Sequence, residues 1–389
     1  MIQRIMNIGV VILLIFILTA CKSEIDKQSD TPFELTLNQT QVEIDLSKTD
    51  KIYSVSEDDM QILQYLGEWA GKRFFLLLLP QEDDGSGKYG QVGGYYAIGT
   101  AKTDEVGGEI MIIKELEDFG MVNWNGPNLM KGRIYLTNAD GIIEFSSEGT
   151  NHVIVDGKEG LIQYQGTKDV FLYSYIVRED ETHFVRRLEG YSLANGTTII
   201  YQQFSYEYDD QTNLYTGEKL NTAAAVTEDG FCYAVSELHE TNLADASAIP
   251  ATVYYQSFSG AEAQAVLNLD HAVGSVYGDG QSLLTASAGG RRPVVCSFSL
   301  QENRVTRLDF PEDMTAAYFR SVTLEDSQYR FSNENGLYSL NIGENELTCY
   351  QLVNVPEGYV KSSAYWAYDE REAYIIEQKM KGMLFFSIE

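Results

Sequence analysis

The chain reads as an all-β protein, a β-propeller of seven four-stranded blades. Three observations carry that reading. Short β-branched and aromatic runs alternate with turns of Gly, Asn, Asp and Ser, as strands require, in a chain with 33 Gly and 26 Tyr but 7 Pro. One strand–turn–strand unit recurs at a spacing suited to a blade. The last unit is a strand short, and a matching strand stands near the N-terminus. After the first twenty residues nothing long shows helical periodicity.

The elements follow in order. Met1 to Asn7 carries one positive side chain, Arg4, and the run Gly9 to Leu18 is apolar but for Gly9. Ten residues are about half of what a bilayer-spanning helix needs, so the run reads as a secretory signal. Leu18-Thr19-Ala20-Cys21 resembles the lipobox of bacterial lipoproteins. The resemblance implies that residues 1–20 are a signal peptide cut after Ala20 and that Cys21 becomes the lipidated first residue. The protein is then expected on the cell membrane, lipid-anchored, at its extracytoplasmic face. Residues 21–40 are polar and read as the lipidated cysteine and a flexible tether. Residues 41–389 read as a single propeller domain.

The recurring unit is an aromatic, a small residue, a polar turn and a further strand. It is clearest in "GLYSLNIGENELTCYQL" and present in "GYSLANGTTIIYQQF", "SFSLQENRVTRLDF" and "IIEFSSEGTNHVIVD". The aligned small residues are Ala97, Ser146, Ser192, Ser259, Ser299, Ser339 and Ser387, mostly 40 to 49 apart with one gap of 67. A period of about 40 to 50 residues with several strands each indicates propeller blades, whose faces are buried against their neighbours. The last unit offers "SAYWAYD", "EAYIIEQ" and "MLFFSIE", and "KIYSVS" at 51–56 is expected to supply its fourth strand. The segment "FELTLNQTQVEIDL" could add strands, so six or eight blades are the alternative counts. "RIYLTNADGIIEFSSEG" and "YRFSNENGLYSLNIGENEL" resemble the strand–DG–strand–turn unit of quinoprotein-like and related bacterial propeller lipoproteins. That resemblance implies the fold. The Trp and Ala docking positions of quinoprotein repeats are not regular here, and no quinone cofactor is expected.

The composition narrows the partners. With 57 acidic and 28 basic residues the net charge is -29, a surface that repels nucleic acid and anionic lipid heads. It suits a cationic partner or a neutral glycan. Cys232, Cys296 and Cys349 each sit in an apolar or aromatic run and read as buried free thiols, a disulfide between two of them being the alternative outside the cytoplasm, with no metal-ligand spacing. The four histidines, His152, His183, His239 and His271, are widely separated. "EDDGSGKYG" and "NADG" lack the 12-residue calcium pattern, so no cofactor is expected and calcium is the one alternative. GxSxG, HExxH and P-loop motifs are absent.

Long insertions mark one end of the blades: 81–93, 205–221 and 238–251, with "SAGGRRP" beside them. Connections between second and third strands, and between successive blades, emerge at the same end. Long loops on a rigid scaffold are where binding usually resides. The candidate ligand- or partner-binding residues are therefore Tyr206, Tyr208 and Tyr215 in the longest connection and the Arg291-Arg292 pair. Trp124, Tyr277, Arg320 and Trp366, in or beside innermost strands, join them. Aromatics can supply large contacts and arginine can grip a carboxylate or phosphate. Packing between blades is the competing role for the aromatics. No catalytic residue is assigned.

The expected function is a membrane-anchored extracytoplasmic binding or scaffold lipoprotein, a monomer whose decorated end engages a protein or cell-surface polymer. A secreted propeller enzyme acting on glycans or lactones is one alternative. A structural envelope protein is the other.

Overall fold

The computed structural model describes residues 33–388 apart from 50, 57–59, 81–93, 104–106, 117–128, 131, 139–140, 147–150, 168, 242–248, 279–281, 288–293, 300–303, 311–319, 326–327, 334–335 and 368–371. The strands β1 (Phe33–Thr36), β2 (Asn38–Asp45) and β3 (Ile52–Ser54) come first. Up-and-down antiparallel meanders follow. The first is β4 (Gln61–Trp69), β5 (Lys72–Pro80), β6 (Gly94–Lys102) and, after the short β7 (Gly108–Glu109), β8 (Met111–Leu116). The next is β9 (Leu129–Met130), β10 (Arg133–Asn138), β11 (Gly141–Ser146) and β12 (Asn151–Asp156).

One eight-stranded sheet contains two consecutive meanders. They are β13 (Ile162–Tyr164), β14 (Val170–Arg178), β15 (His183–Ser192) and β16 (Thr197–Asp209), then β17 (Leu214–Thr227), β18 (Gly230–Thr241), β19 (Ala251–Ser257) and β20 (Gln264–Leu269). β21 (Val273–Gly278), β22 (Ser282–Ser287), β23 (Val295–Ser299) and β24 (Arg304–Asp309) form a further sheet. So do β25 (Arg320–Glu325), β26 (Gln328–Asn333), β27 (Gly336–Asn341) and β28 (Glu346–Val353). The chain ends with β29 (Tyr359–Trp366), β30 (Glu372–Glu377) and β31 (Gly382–Ser387). Among the described residues the helical content is one 3-10 turn, Leu46–Lys48, capped by Asp45.

The strand expected at 51–56 is β3, and it lies antiparallel to β31 with Ile52 opposite Leu384. It therefore supplies a fourth strand to a sheet that the C-terminal segment leaves incomplete. The segment that offered extra blade strands found no new sheet. β1 runs parallel to β24, Phe33 opposite Thr306, and β2 runs parallel to β28, Asn38 opposite Glu346 through Asp45 opposite Val353. Each is a fifth strand on the edge of an existing sheet. The alternation of Leu and Val with Thr, Gln and Glu suits this, since an edge strand covers one face only. Residues 33–36 and 38–40, expected in the tether, are thus strand.

The chain divides into two compact units. One holds β1 and β15–β24, the other β2–β12 and β25–β31, and β13 and β14 contribute residues to both. In the second unit the run "RFFLLLLP" of β5 is apolar on both faces because it is covered on both. Phe75, Leu77 and Leu79 join Tyr53, Tyr65, Tyr374 and Phe385 in one core. Phe74 and Leu76 join Ile98, Ile134, Leu136 and Phe145 in another. A third core gathers Leu337, Leu352, Trp366, Leu384 and Phe386. In the first unit Val226, Cys232, Val253, Leu267, Val276 and Phe298 pack β17–β20 against β21–β23. Face-to-face burial of consecutive sheets is the source of stability in each case, at about 25 cal/mol per Å² of apolar surface covered.

Candidate functional site

The segment "SYEYDDQTNLYTGEKLN" was expected as a connection and is instead a long hairpin. β16 and β17 run 13 and 14 residues, with Tyr208 opposite Tyr215 and Tyr206 opposite Gly217. The sequence dictates this twice over. Tyr and Glu alternate with period two, as a half-exposed strand requires, and the bend is an Asp-led turn. Asp209 accepts from the Gln211 amide at 2.8 Å and from the Thr212 hydroxyl at 2.8 Å. Thr212 and then Gln211 hold its carboxyl below the usual range. Asn213 takes the left-handed conformation, φ 58°, that ends the turn.

The tyrosines form a ladder of rings. Tyr206 stacks on Phe184 across β15 and β16, centroids 5.4 Å apart and planes at 16°. Tyr206 lies 6.1 Å from Tyr215, and Tyr215 lies 4.8 Å from Tyr208. The Tyr208 hydroxyl donates to Asn213 Oδ1 at 2.6 Å. The Arg178 guanidinium stands 4.9 Å from the Phe184 centroid. Gly217 makes this approach possible: its φ is +109°, and a Cβ there would lie 2.4 Å from the Ser205 carbonyl and 2.8 Å from Tyr206 Cα. All four rings are half-buried, so an aromatic strip is offered at the surface without being sunk in a core.

Two further cations lie along the same strands. Arg186 pairs with Phe204 two residues along from the Phe184–Tyr206 pair, and Lys219 follows Gly217 by two. Burial, then the Arg186 charge, lower the Lys219 pKa. Lys219 has no hydrogen-bond or ion-pair partner among the described residues. On the other face of the same strands His183 Nδ1 lies 2.8 Å from Asp180 Oδ2 and its Nε2 lies 3.6 Å from Glu207 Oε1. The Asp180 bond raises the His183 pKa.

Of the residues singled out in the sequence, Tyr206, Tyr208 and Tyr215 come together here. Tyr277 is half-buried on β21, opposite Leu284. Trp366 is a core residue, 1% exposed. Its Nε1 donates to the Phe331 carbonyl at 3.0 Å and its ring meets Tyr350 edge-on at 5.6 Å. Arg320 is on β25 opposite Ser332. Cys21, Trp124, Arg291, Arg292, the insertion at 81–93 and part of that at 238–251 lie outside the described residues, as does the Arg320 side chain. Phe184, Arg186 and Lys219 were not singled out, although the alternation "HFVRRLEGY" carries a signal for the first two. Cys232 and Cys296 are buried thiols outside any disulfide, as expected, whereas Cys349, also outside a disulfide, is only half-buried; burial pushes the first two up, Cys296 to about 11. No group of three His, Cys, Asp or Glu among the described residues could hold a metal. No helix among them is long and apolar enough to cross a membrane.

No protein-family description matches the chain, and no curated protein is similar to it in sequence. Solved structures are. An oligogalacturonate lyase in complex with manganese shares 14% identity over 93% of this chain and 97% of its own, with a TM-score of 0.52. The acylaminoacyl peptidase of Pyrococcus horikoshii shares 9% over 82% of this chain and 49% of its own, at 0.51. The β-propeller domain of the Trilobed protease from Pyrococcus furiosus shares 8% over 82% of this chain and 90% of its own, at 0.50. The protein is thus an all-β propeller. At such identities the likeness concerns the fold, and function rests on the site.

Proposed function

We propose that this is a membrane-anchored binding propeller that engages a protein partner through the tyrosine hairpin. The blades number seven in this reading, the eight-stranded sheet counting as two. Cys21 carries the lipid, and a short tether holds the domain at the extracytoplasmic face as a monomer. A rigid platform so tethered raises the effective concentration of two surfaces at one membrane. The observation that carries the reading is the ring ladder Phe184–Tyr206–Tyr215–Tyr208 on a hairpin longer than its sheet requires. Half-exposed tyrosines on a rigid strand pair lose little entropy on binding and are the residue type enriched in protein interfaces.

The test is a cross-linked capture of the tagged, lipidated protein from native membranes, beside the variant Tyr206→Ser/Tyr208→Ser/Tyr215→Ser. The expected result is a stoichiometric partner that the variant loses while it keeps its thermal midpoint within a few degrees. A partner retained by the variant overturns the hairpin reading. Absence of any partner favours the enzyme alternative and directs assay to glycan and lactone hydrolysis.

A further inference from the structure

We propose that β16 takes an extended strand of the protein partner along its open edge, within Thr197–Ser205, parallel to β16 and leading towards the tyrosine rings. The inference rests on the partner-binding reading above and adds the form in which the partner binds.

The chain's own sheets supply the template. β24, β28 and β3 are fourth strands of their sheets, and each carries a fifth: β1 on β24, β2 on β28 and β7 on β3. All three fifth strands run parallel to the strand they cover. β1 does so from Phe33 to Thr36, paired with Thr306 to Asp309. β16 is the fourth strand of its meander as well. It pairs with β15 from Thr197 to Glu207, whereas β17 covers its other edge from Tyr206 to Asp209 only. Beyond Gly217, β17 continues in pairing with β18. Among the described residues, Thr197–Ser205 therefore has one edge without a ladder. The backbone N–H and C=O groups that alternate residues turn to that edge are those a further strand bonds.

The side chains point the same way. Edge strands are ordinarily guarded by charge, by proline or by a bulge. Residues 197–205 carry neither charge nor proline, in a chain of net charge -29. The bulge is at Tyr201, which the register skips; its ring is buried and its hydroxyl donates to the Phe258 carbonyl at 3.2 Å. Thr197–Ile200, before the bulge, is as long a stretch as β1 covers on β24. Ile199 and Ile200 are 40% and 50% exposed and, as neighbours in a strand, stand on opposite faces. An added strand would flank each of them with a side chain of its own. β20 also ends its sheet, but its Val266, Leu267 and Leu269 are buried and offer nothing apolar to a newcomer. A strand laid parallel on β16 runs on towards Tyr206, where β17 takes over the edge. The partner segment is thus extended, β-branched and uncharged or basic, since repulsion from so acidic a chain disfavours acids.

The experiment uses the full chain and a fluorescent, capped octapeptide of alternating Thr and Val ending in two Lys. The same peptide N-methylated at its odd residues, or at its even ones, keeps the charge and removes backbone donors. Anisotropy should report binding of the unmethylated peptide and at least about tenfold weaker binding of one methylated form. Hydrogen exchange of amides within 197–205 should slow when the peptide is added. Ile199→Lys/Ile200→Lys should weaken binding about tenfold and keep the thermal midpoint within a few degrees, both side chains being exposed. Equal affinity for all three peptides overturns the proposal, as do unchanged exchange at 197–205 and an undetectable complex. The native-membrane capture separates the two levels. A partner lost by the tyrosine variant but kept by Ile199→Lys/Ile200→Lys leaves the hairpin reading standing and removes this one. A partner kept by both variants removes both readings, and a partner lost by both supports both.

Discussion

Replacing Glu372 should unfasten the seam where the N-terminal strand meets the last strands. Arg73 on β5 and Glu372 on β30 are 3% and 8% exposed at their side chains, and Arg73 Nη2 lies 2.5 Å from Glu372 Oε2. Lys51 Nζ reaches Glu372 Oε1 at 2.7 Å, while Glu68 Oε2 is 3.7 Å from Arg73 Nε. The guanidinium stands 4.0 Å from the Phe385 centroid, 5.3 Å from Tyr53 and 5.9 Å from Tyr65. Its Nε and Nη1 have no hydrogen-bond acceptor among the described residues. Glu372→Gln therefore strands a buried cation among rings, at a cost of about 3–5 kcal/mol. Arg73→Met should cost less, because Lys51, 41% exposed, still satisfies Glu372. In the double variant the buried charges are gone together, and the loss should fall at least about 2 kcal/mol short of the sum of the singles. Urea unfolding of the four proteins measures this. Losses that add within about 0.5 kcal/mol would refute the reasoning. So would a Glu372→Gln cost no larger than that of an ordinary surface change.

The same seam sets a pH dependence. Burial alone would raise the Glu372 pKa, but the Lys51 hydrogen bond and the Arg73 charge outweigh it and hold it below 4.5. Its contribution should be complete above the ordinary carboxylate value and be lost as pH falls through the lowered one; the parent should show that loss on acidification and Glu372→Gln should not. His183 should titrate above 6.5 by NMR, since its Asp180 bond favours the charged form. Its effect on stability is present below 6.5 and lost as pH rises through the raised value, and Asp180→Asn should bring the titration down. Trp366→Ala should cost about 3–5 kcal/mol and leave partner capture by the refolded protein unchanged, since the indole is core. Cys232 and Cys296 should resist a thiol reagent at pH 8 in the native protein and react after denaturation, because burial disfavours both thiolates.

Local chemistry was legible in the sequence, and distant pairing was not. The small residues Ala97, Ser146, Ser192, Ser299, Ser339 and Ser387 all fall in third strands of their meanders, and Ser259 lies just beyond one. The repeat is a packing requirement, so it shows as a period. The closing strand was legible because the last unit came up one strand short. The parallel pairing of β1 and β2 was not, since an edge strand with one covered face carries half a pattern. In the candidate site, the tyrosines stand out in the sequence by type, whereas their pairing as a hairpin does not. Its Asp-led turn and period of two were the available signals. Arg73 was invisible because its partner, Glu372, is 299 residues away in the chain.

A photo-reactive amino acid at position 215, in living cells, would probe the hairpin where it works. Val153, 52% exposed on β12, supplies the control position. The account predicts one discrete protein adduct from position 215, lost in the Tyr206→Ser/Tyr208→Ser background, and none from position 153. An adduct equally strong from both positions, or none from 215, would contradict a partner-binding tyrosine hairpin.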